Sequence, residues 1–253
     1  MQSKRVGDFS VSVAVEAKNL VKDFGSVTAL DGLNFTIKEG EIFGLIGLNG
    51  AGKTTALRIT STLLLPTSGT VTVFGHDVVD EAAEVRNMIS YLPEEAGAYK
   101  NLSGLEYLKF MASFRTNDKA AIGKLVDAAS EISGLGDRLK DKVKGYSKGM
   151  KRRLLVARAL MTKPKLAILD EPNSGLDVLH SVHVRTIIKR YAQEHKVTIL
   201  LSSHNMLEVE YLCDRVALVN KGKVVAQGSP DELKKKFNAV NLEEVFGEVV
   251  GFA

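Results

Sequence analysis

A chain of 253 residues with 45% hydrophobic content can build one large α/β domain, or two smaller ones, with a full core. Its 34 basic and 30 acidic residues leave a formal charge of +4 and are interspersed, so they read as a solvated surface, with no nucleic-acid partner expected. No apolar run approaches the roughly 18 residues that cross a bilayer, no hydrophobic signal region follows Met1-Gln2-Ser3-Lys4-Arg5, and the single cysteine, Cys213, cannot form an intrachain disulfide. Any membrane role therefore falls to a partner, and a reducing compartment is expected.

In chain order, residues 1 to about 12 read as a polar lead-in. Val13 to Ala17 and Leu33 to Ile37 alternate with period two and are expected as half-buried strands, with Phe24 at a turn between them. Phe24 is either a packing residue or a planar face for a base. Glu41 to Ile46 reads as a buried strand. It runs into Gly47-Leu48-Asn49-Gly50-Ala51-Gly52-Lys53-Thr54-Thr55, which fits G-x-x-x-x-G-K-[ST] and opens a helix. Strand, glycine turn and helix are the context that a phosphate-binding loop needs. Glycines let successive backbone N–H groups converge on phosphate, Lys53 adds a point charge at the β/γ end, and the Thr54 hydroxyl can ligate Mg²⁺. The chain is therefore expected to bind a nucleoside triphosphate.

Beyond the loop, Thr67-Ser68-Gly69 reads as a turn, Thr70 to Gly75 as a strand, and Ile89 to Leu92 as another that stops at Pro93-Glu94-Glu95. Ser103 to Glu106 forms a capping box ahead of Leu105, Leu108, Met111 and Ala112 at helical spacing, and Asp118 opens a second helix closed by Gly134 and Gly136. Residues 95 to 164 thus read as a helical insertion. Leu166 to Leu169 returns to strand and ends in Asp170-Glu171-Pro172; Val197 to Leu201 does the same and ends in Ser202-Ser203-His204, with a helix from Asp177 to His195 between them. In such a βαβ unit the polar strand ends lie on the rim where open α/β sheets bind ligands, beside the phosphate loop. His180 and His183 have helix-face spacing for a metal but no further ligand is evident, so a solvated helix is expected. Ser229-Pro230-Asp231-Glu232 caps a helix with Lys234 to Lys236 on a solvated face. Leu242, Val245, Phe246, Val249 and Val250 mark an amphipathic helix whose apolar stripe is buried either within the chain or against another subunit.

The carboxylates divide naturally, with Asp170 supporting the Mg²⁺ shell, Glu171 polarising the attacking water, and His204 donating to the γ-phosphate. A guanine-reading Asn-Lys-x-Asp is not offered by Asn220-Lys221-Gly222-Lys223, which ends in the wrong charge.

The order of Gly47 to Thr55, Tyr146-Ser147-Lys148-Gly149-Met150, Leu166 to Glu171, Ser174-Gly175-Leu176-Asp177 and His204 resembles an ATP-binding-cassette (ABC) ATPase over nearly the whole chain. Within that family, the Tyr-Ser-Lys-Gly-Met signature and the tail Asn241 to Phe246 look most like the ATPase subunits of ABC-2-type exporters. The resemblance implies a single α/β domain over residues 1–253. Its parts would be a P-loop NTPase (RecA-like) core with a mainly parallel sheet, and an N-terminal antiparallel β subdomain (together about 13–94 and 165–238). A helical subdomain (about 95–164) and a C-terminal amphipathic helix (about 239–253) complete it.

The same resemblance implies ATP with Mg²⁺ held by Thr54, Glu94 and Asp170, and catalysis by Glu171 and His204. Phe24 would stack on the base, and Ser174 to Asp177 would form the D-loop. A head-to-tail dimer with an identical or homologous subunit would close Ser147, Lys148, Gly149 and Met150 of one protomer on the loop of the other. A transmembrane permease subunit would receive the motion, at the inner face of the cell membrane. A soluble ABC ATPase acting on nucleic acid or ribosomes is the alternative; long coiled-coil insertions or a second cassette would mark it, and neither is in this sequence. Glu94 stands where the family usually has glutamine, Lys148 and Met150 replace glycine and glutamine, Phe24 replaces tyrosine, and Asn173 replaces threonine.

Overall fold

The computed structural model describes residues 12–251, so the lead-in expected over residues 1 to about 12 lies almost wholly outside the described residues. The chain begins with β1 (Val13–Asp23), β2 (Thr28–Lys38) and β3 (Ile42–Ile46), then α1 (Lys53–Thr60), β4 (Ser68–Val73), β5 (His76–Asp77), α2 (Ala82–Met88) and β6 (Ile89–Leu92). A helical stretch follows with α3 (Gly104–Ser113), α4 (Lys119–Ser133), two short 3₁₀ turns and α5 (Lys148–Leu160). The remainder is β7 (Leu166–Leu169), α6 (Val178–His195), β8 (Thr198–Ser203), α7 (Met206–Leu212), β9 (Arg215–Asn220), β10 (Lys223–Gly228), α8 (Pro230–Lys236) and α9 (Leu242–Val250).

Two sheets result. A four-stranded antiparallel sheet has the order β2-β1-β4-β5, and a six-stranded sheet has the order β10-β9-β3-β8-β7-β6, parallel except for the β9–β10 hairpin. The mainly parallel core and the N-terminal antiparallel sheet match the expected class. Side chains of the central strands alternate between two cores, as the two-residue period of a strand requires. Phe43, Leu45, Leu166, Ile168, Leu200 and Ala217 face the antiparallel sheet and α1. Ile42, Ile46, Ala167, Leu169, Ile199, Leu201, Val216 and Leu218 face the helices. Burial on both faces explains why these strands read as continuous apolar runs.

Several helix starts were legible because they carry a side-chain cap. Ser103 and Glu106 form a reciprocal capping box on α3, as do Ser229 and Glu232 on α8, while Asp118, Ser147 and Asp177 cap α4, α5 and α6. The turn expected at Thr67-Ser68-Gly69 is corrected: β4 already includes Ser68 and Gly69. A Cβ at Gly69 would lie 2.2 Å from the Asn19 carbonyl oxygen, so this glycine serves a close backbone approach inside a strand. The lysine face of α8 is also only partly solvated, since Lys234 is half-buried and pairs with Glu210 at 3.6 Å and Asp231 at 3.1 Å. The apolar stripe of α9 is buried within the chain, where Leu242, Val245 and Phe246 join the helix-side core. Cys213 packs in that core too, and burial pushes its thiol up.

Register positions the site. Ile46 at the end of β3 pairs with Ser203 of β8, and Leu169 at the end of β7 pairs with Leu201 of β8 and Leu92 of β6. Gly47, Asp170, His204 and Pro93 therefore leave the sheet along one rim.

Candidate active site

The loop after β3 is shaped by backbone that only glycine supplies cheaply. Gly52, the residue before α1, has φ of 107°, and a Cβ there would meet the Ala29 carbonyl oxygen at 2.5 Å. Phe24, Asn49, Gly50, Ala51, Gly52, Lys53, Thr54, Thr55, Glu94 and Glu171 line one open cleft of about 500 Å³. Gly47 and Leu48 lie just upstream, and both carbonyls accept from the buried Lys53 Nζ, at 2.7 Å and 3.2 Å. Lys53 Nζ is also 3.5 Å from Glu171 Oε1, so the buried cation faces a carboxylate.

Asp170 and Glu171 take different partners although they are adjacent. Asp170 Oδ1 accepts from the Ser202 hydroxyl at 2.6 Å and from the Thr54 hydroxyl at 3.2 Å, and its Oδ2 accepts from the Tyr91 hydroxyl at 3.4 Å. Burial, with the nearby Asp170 charge, pushes the Tyr91 phenol up, keeping it a donor. Glu171 Oε2 lies 2.9 Å from His204 Nδ1. Its backbone sits in the left-handed region, at φ of 46°, a conformation that costs about 1–3 kcal/mol in a non-glycine residue.

What holds Glu171 there was missed by sequence reasoning. Arg152, on the buried face of α5, donates only to backbone carbonyls: from Nε to that of Pro172 at 2.7 Å, from one terminal nitrogen to that of Glu94 at 3.0 Å, and from the other to that of Asp170 at 2.9 Å and that of Glu171. Ser202 Oγ accepts the Glu171 N–H at 2.9 Å. Burial lowers the Arg152 guanidinium, opposed by the charges of Glu94, Asp170 and Glu171, and the group remains a cation. The available signal was a charged residue on the Gly149, Leu155, Val156, Ala159 face of an otherwise apolar helix stripe.

Other expected residues lie elsewhere. Ser174 donates from Oγ to Glu94 Oε1 at 3.0 Å, which ties the Ser174 to Asp177 segment to the cleft. His204 borders a separate recess together with Glu171. Ser147, Lys148, Gly149 and Met150 form the start of α5 and do not line the cleft of their own chain. Gly149 is buried against α6, where a Cβ would lie 2.2 Å from the His180 ring. His183 sits half-buried near Gly134, burial lowers its imidazole, and among the described residues no cluster of His, Cys, Asp and Glu could hold a metal alone. The helix with His180 and His183 is thus partly packed rather than fully solvated.

A phosphate loop on the rim of a parallel sheet, with a threonine–aspartate pair and a glutamate–histidine pair at the neighbouring strand ends, defines a P-loop ATPase. The chain belongs to the ABC transporter family, whose profile matches residues 30–174, and is an ATP-binding subunit of that family. It is similar to the linearmycin resistance ATP-binding protein LnrL of Bacillus subtilis (strain 168), 37% identical over 87% of this chain and 70% of that one. The bacitracin transport ATP-binding protein BcrA of Bacillus licheniformis is 38% identical over 89% of this chain and 73% of that one. The solved ATP-binding subunit of an ABC transporter superposes with a TM-score of 0.80, at 28% identity, over 94% of this chain and 99% of that chain.

Proposed function

We propose that this chain is the ATP-hydrolysing subunit of an exporter, with Glu171 polarising the attacking water and His204 orienting Glu171 and contacting the γ-phosphate. The observation that carries this reading is the 2.9 Å Glu171–His204 pair beside a cleft lined by Lys53. Backbone N–H groups of residues 47–55 and the start of α1 cradle the phosphates, and Lys53 exchanges its loop carbonyls for phosphate oxygens. Phe24, 55% exposed at the cleft edge, offers its face to the base.

Thr54 and Asp170 suit Mg²⁺, because their oxygens already stand 3.2 Å apart and hard cations take oxygen ligands shared with substrate phosphates. Glu94, on the same cleft, is the third residue that would hold the ion. When bound, Mg²⁺ supplies charge neutralisation to the phosphates.

The signature residues Ser147 to Met150 stand outside their own cleft, which supports their use by a second, identical or homologous subunit in a head-to-tail dimer. Among the described residues no helix is long and apolar enough to cross a membrane. In the export reading this subunit works with a transmembrane partner, on the cytoplasmic face. An exposed aromatic run on the helical insertion, Tyr99, Phe110 and Phe114, with ring centroids 5.5 Å and 5.0 Å apart, supports that docking. The bacitracin transport and linearmycin resistance proteins among its relatives support export.

The test is Glu171→Gln. It keeps ATP binding, lowers turnover by about a hundredfold or more, and stabilises an ATP-bound dimer seen by size-exclusion chromatography. Unchanged turnover removes Glu171 from the chemistry. Tagged Glu171→Gln protein, with Mg-ATP, is then used to pull partners from detergent-solubilised native membranes. A stoichiometric multi-span protein supports transport, and ribosomal or other soluble partners alone overturn it.

A further inference from the structure

Glu171 borders a second recess, of about 150 Å³, that shares no other residue with the loop cleft. Its polar lining includes Asn173, Arg185, His204, Asn205 and Glu208. Glu208 is held in the first turn of α7 by Asn205, whose Oδ1 accepts its N–H at 3.1 Å, and is only 6% exposed. Around this recess Glu208 Oε1, Arg185 Nε and both amide atoms of Asn173 are buried without a hydrogen-bond partner. A recess of this size with a polar wall is a site for ordered water, which needs room and two to four polar partners.

Burial pushes the Glu208 carboxyl up to about 7, opposed by the Arg185 cation on α6, reinforced by Glu171, and opposed by His204. Cys213, just past the end of α7, also feels this carboxylate, but burial keeps its thiol protonated and outside the exchange. A carboxyl that changes charge near neutrality, buried beside a reacting site, is matched to proton transfer.

We propose that the recess holds a chain of water molecules joining Glu208 to the Glu171–His204 pair, and that Glu208 accepts the proton given up by the attacking water. This rests on Glu171 as the group that polarises that water. As the water oxygen bonds to the γ-phosphorus, the bond from phosphorus to the bridging oxygen breaks towards ADP. One O–H bond of the water breaks, and its proton passes from the Glu171 carboxylate along the water chain to the Glu208 carboxylate. The products are ADP, hydrogen phosphate and a neutral Glu208, which returns the proton to solvent before the next turnover. Asn173 also lines the recess. Glu208 accepts only when ionised, so turnover falls as pH falls through about 7.

The experiment is steady-state hydrolysis by the full chain at saturating Mg-ATP from about pH 6 to about pH 9, for the unmodified protein, Glu208→Gln and Asn173→Leu. The unmodified kcat shows a limb near pH 7; Glu208→Gln removes the limb and lowers kcat at pH 8 by about tenfold or more, with the Kd for ATP within about twofold. Asn173→Leu, which puts an apolar side chain on the recess wall with Glu208 intact, also removes the limb and still decides the matter should Glu208→Gln not fold. A flat profile in the unmodified protein, or a limb that survives in either variant, overturns the proposal. Loss of rate with the limb intact assigns Glu208 a structural role only. Glu171→Gln separates the two readings: turnover persisting there removes the base, whereas a dead Glu171→Gln beside an unaffected Glu208→Gln removes the relay alone.

Discussion

Thr54 and Asp170, 116 residues apart in sequence, meet at 3.2 Å, the Thr54 hydroxyl donating to Asp170 Oδ1. They meet because β3 and β7 both flank β8, ending opposite Ser203 and Leu201 of it, and Ser202 between those positions donates to the same oxygen. Asp170→Ala leaves these two hydroxyls and that of Tyr91 without their acceptor in a mostly buried place. A stability loss of about 1–3 kcal/mol follows, read by urea denaturation. The Mg²⁺ dependence of ATP binding should flatten in the same variant; an unaltered Mg²⁺ titration would count against Asp170 as an ion ligand.

Lys53 is buried, faces the Glu171 carboxylate and donates to two loop carbonyls. Lys53→Ala removes the charge that meets the phosphates, so ATP affinity falls by about tenfold or more while the fold persists. Isothermal titration with ATP checks this, and undiminished affinity would remove the loop from the nucleotide site.

Arg152 gathers carbonyls from the end of β6 and the segment after β7. Arg152→Ala orphans several buried carbonyls at once and should cost about 3–5 kcal/mol in chemical denaturation. Arg152→Lys, a point charge without the planar fork, restores only part of this. Since the same carbonyls frame the strained Glu171 backbone, kcat should fall further than ATP affinity, which a simple loss of packing elsewhere would not produce.

Gly149 lies so close to α6 that an added Cβ would be 2.2 Å from the His180 ring. Gly149→Ala should therefore displace the start of α5 and destabilise the chain by about 1–3 kcal/mol. Removing the obstruction with His180→Ala in the same chain should recover most of that loss in a double-mutant cycle. Additive losses would show that the ring is not the obstacle.

Much of this was legible in the residue order. The loop, the βαβ unit and the polar strand ends lie in short windows where apolar run and polar stop are adjacent, and the helix caps are three-residue relationships. The stretch from Met206 to Gly228 was not assigned: α7 is too short for a clear helical period, and β9 and β10 meet in a tight hairpin. Phe24 could be read as packing or as a base face, and only its position on the cleft edge favours the second.

The sequence by itself determined the class of the protein and the place of its polar strand ends, because phosphate binding uses backbone geometry written in closely spaced glycines and a neighbouring lysine and threonine. Only the tertiary structure decided what supports that chemistry. Arg152, Ser202 and Glu208 act through partners brought together by sheet register and helix packing, and a hydrogen bond to a distant carbonyl leaves no mark in the local pattern of residues.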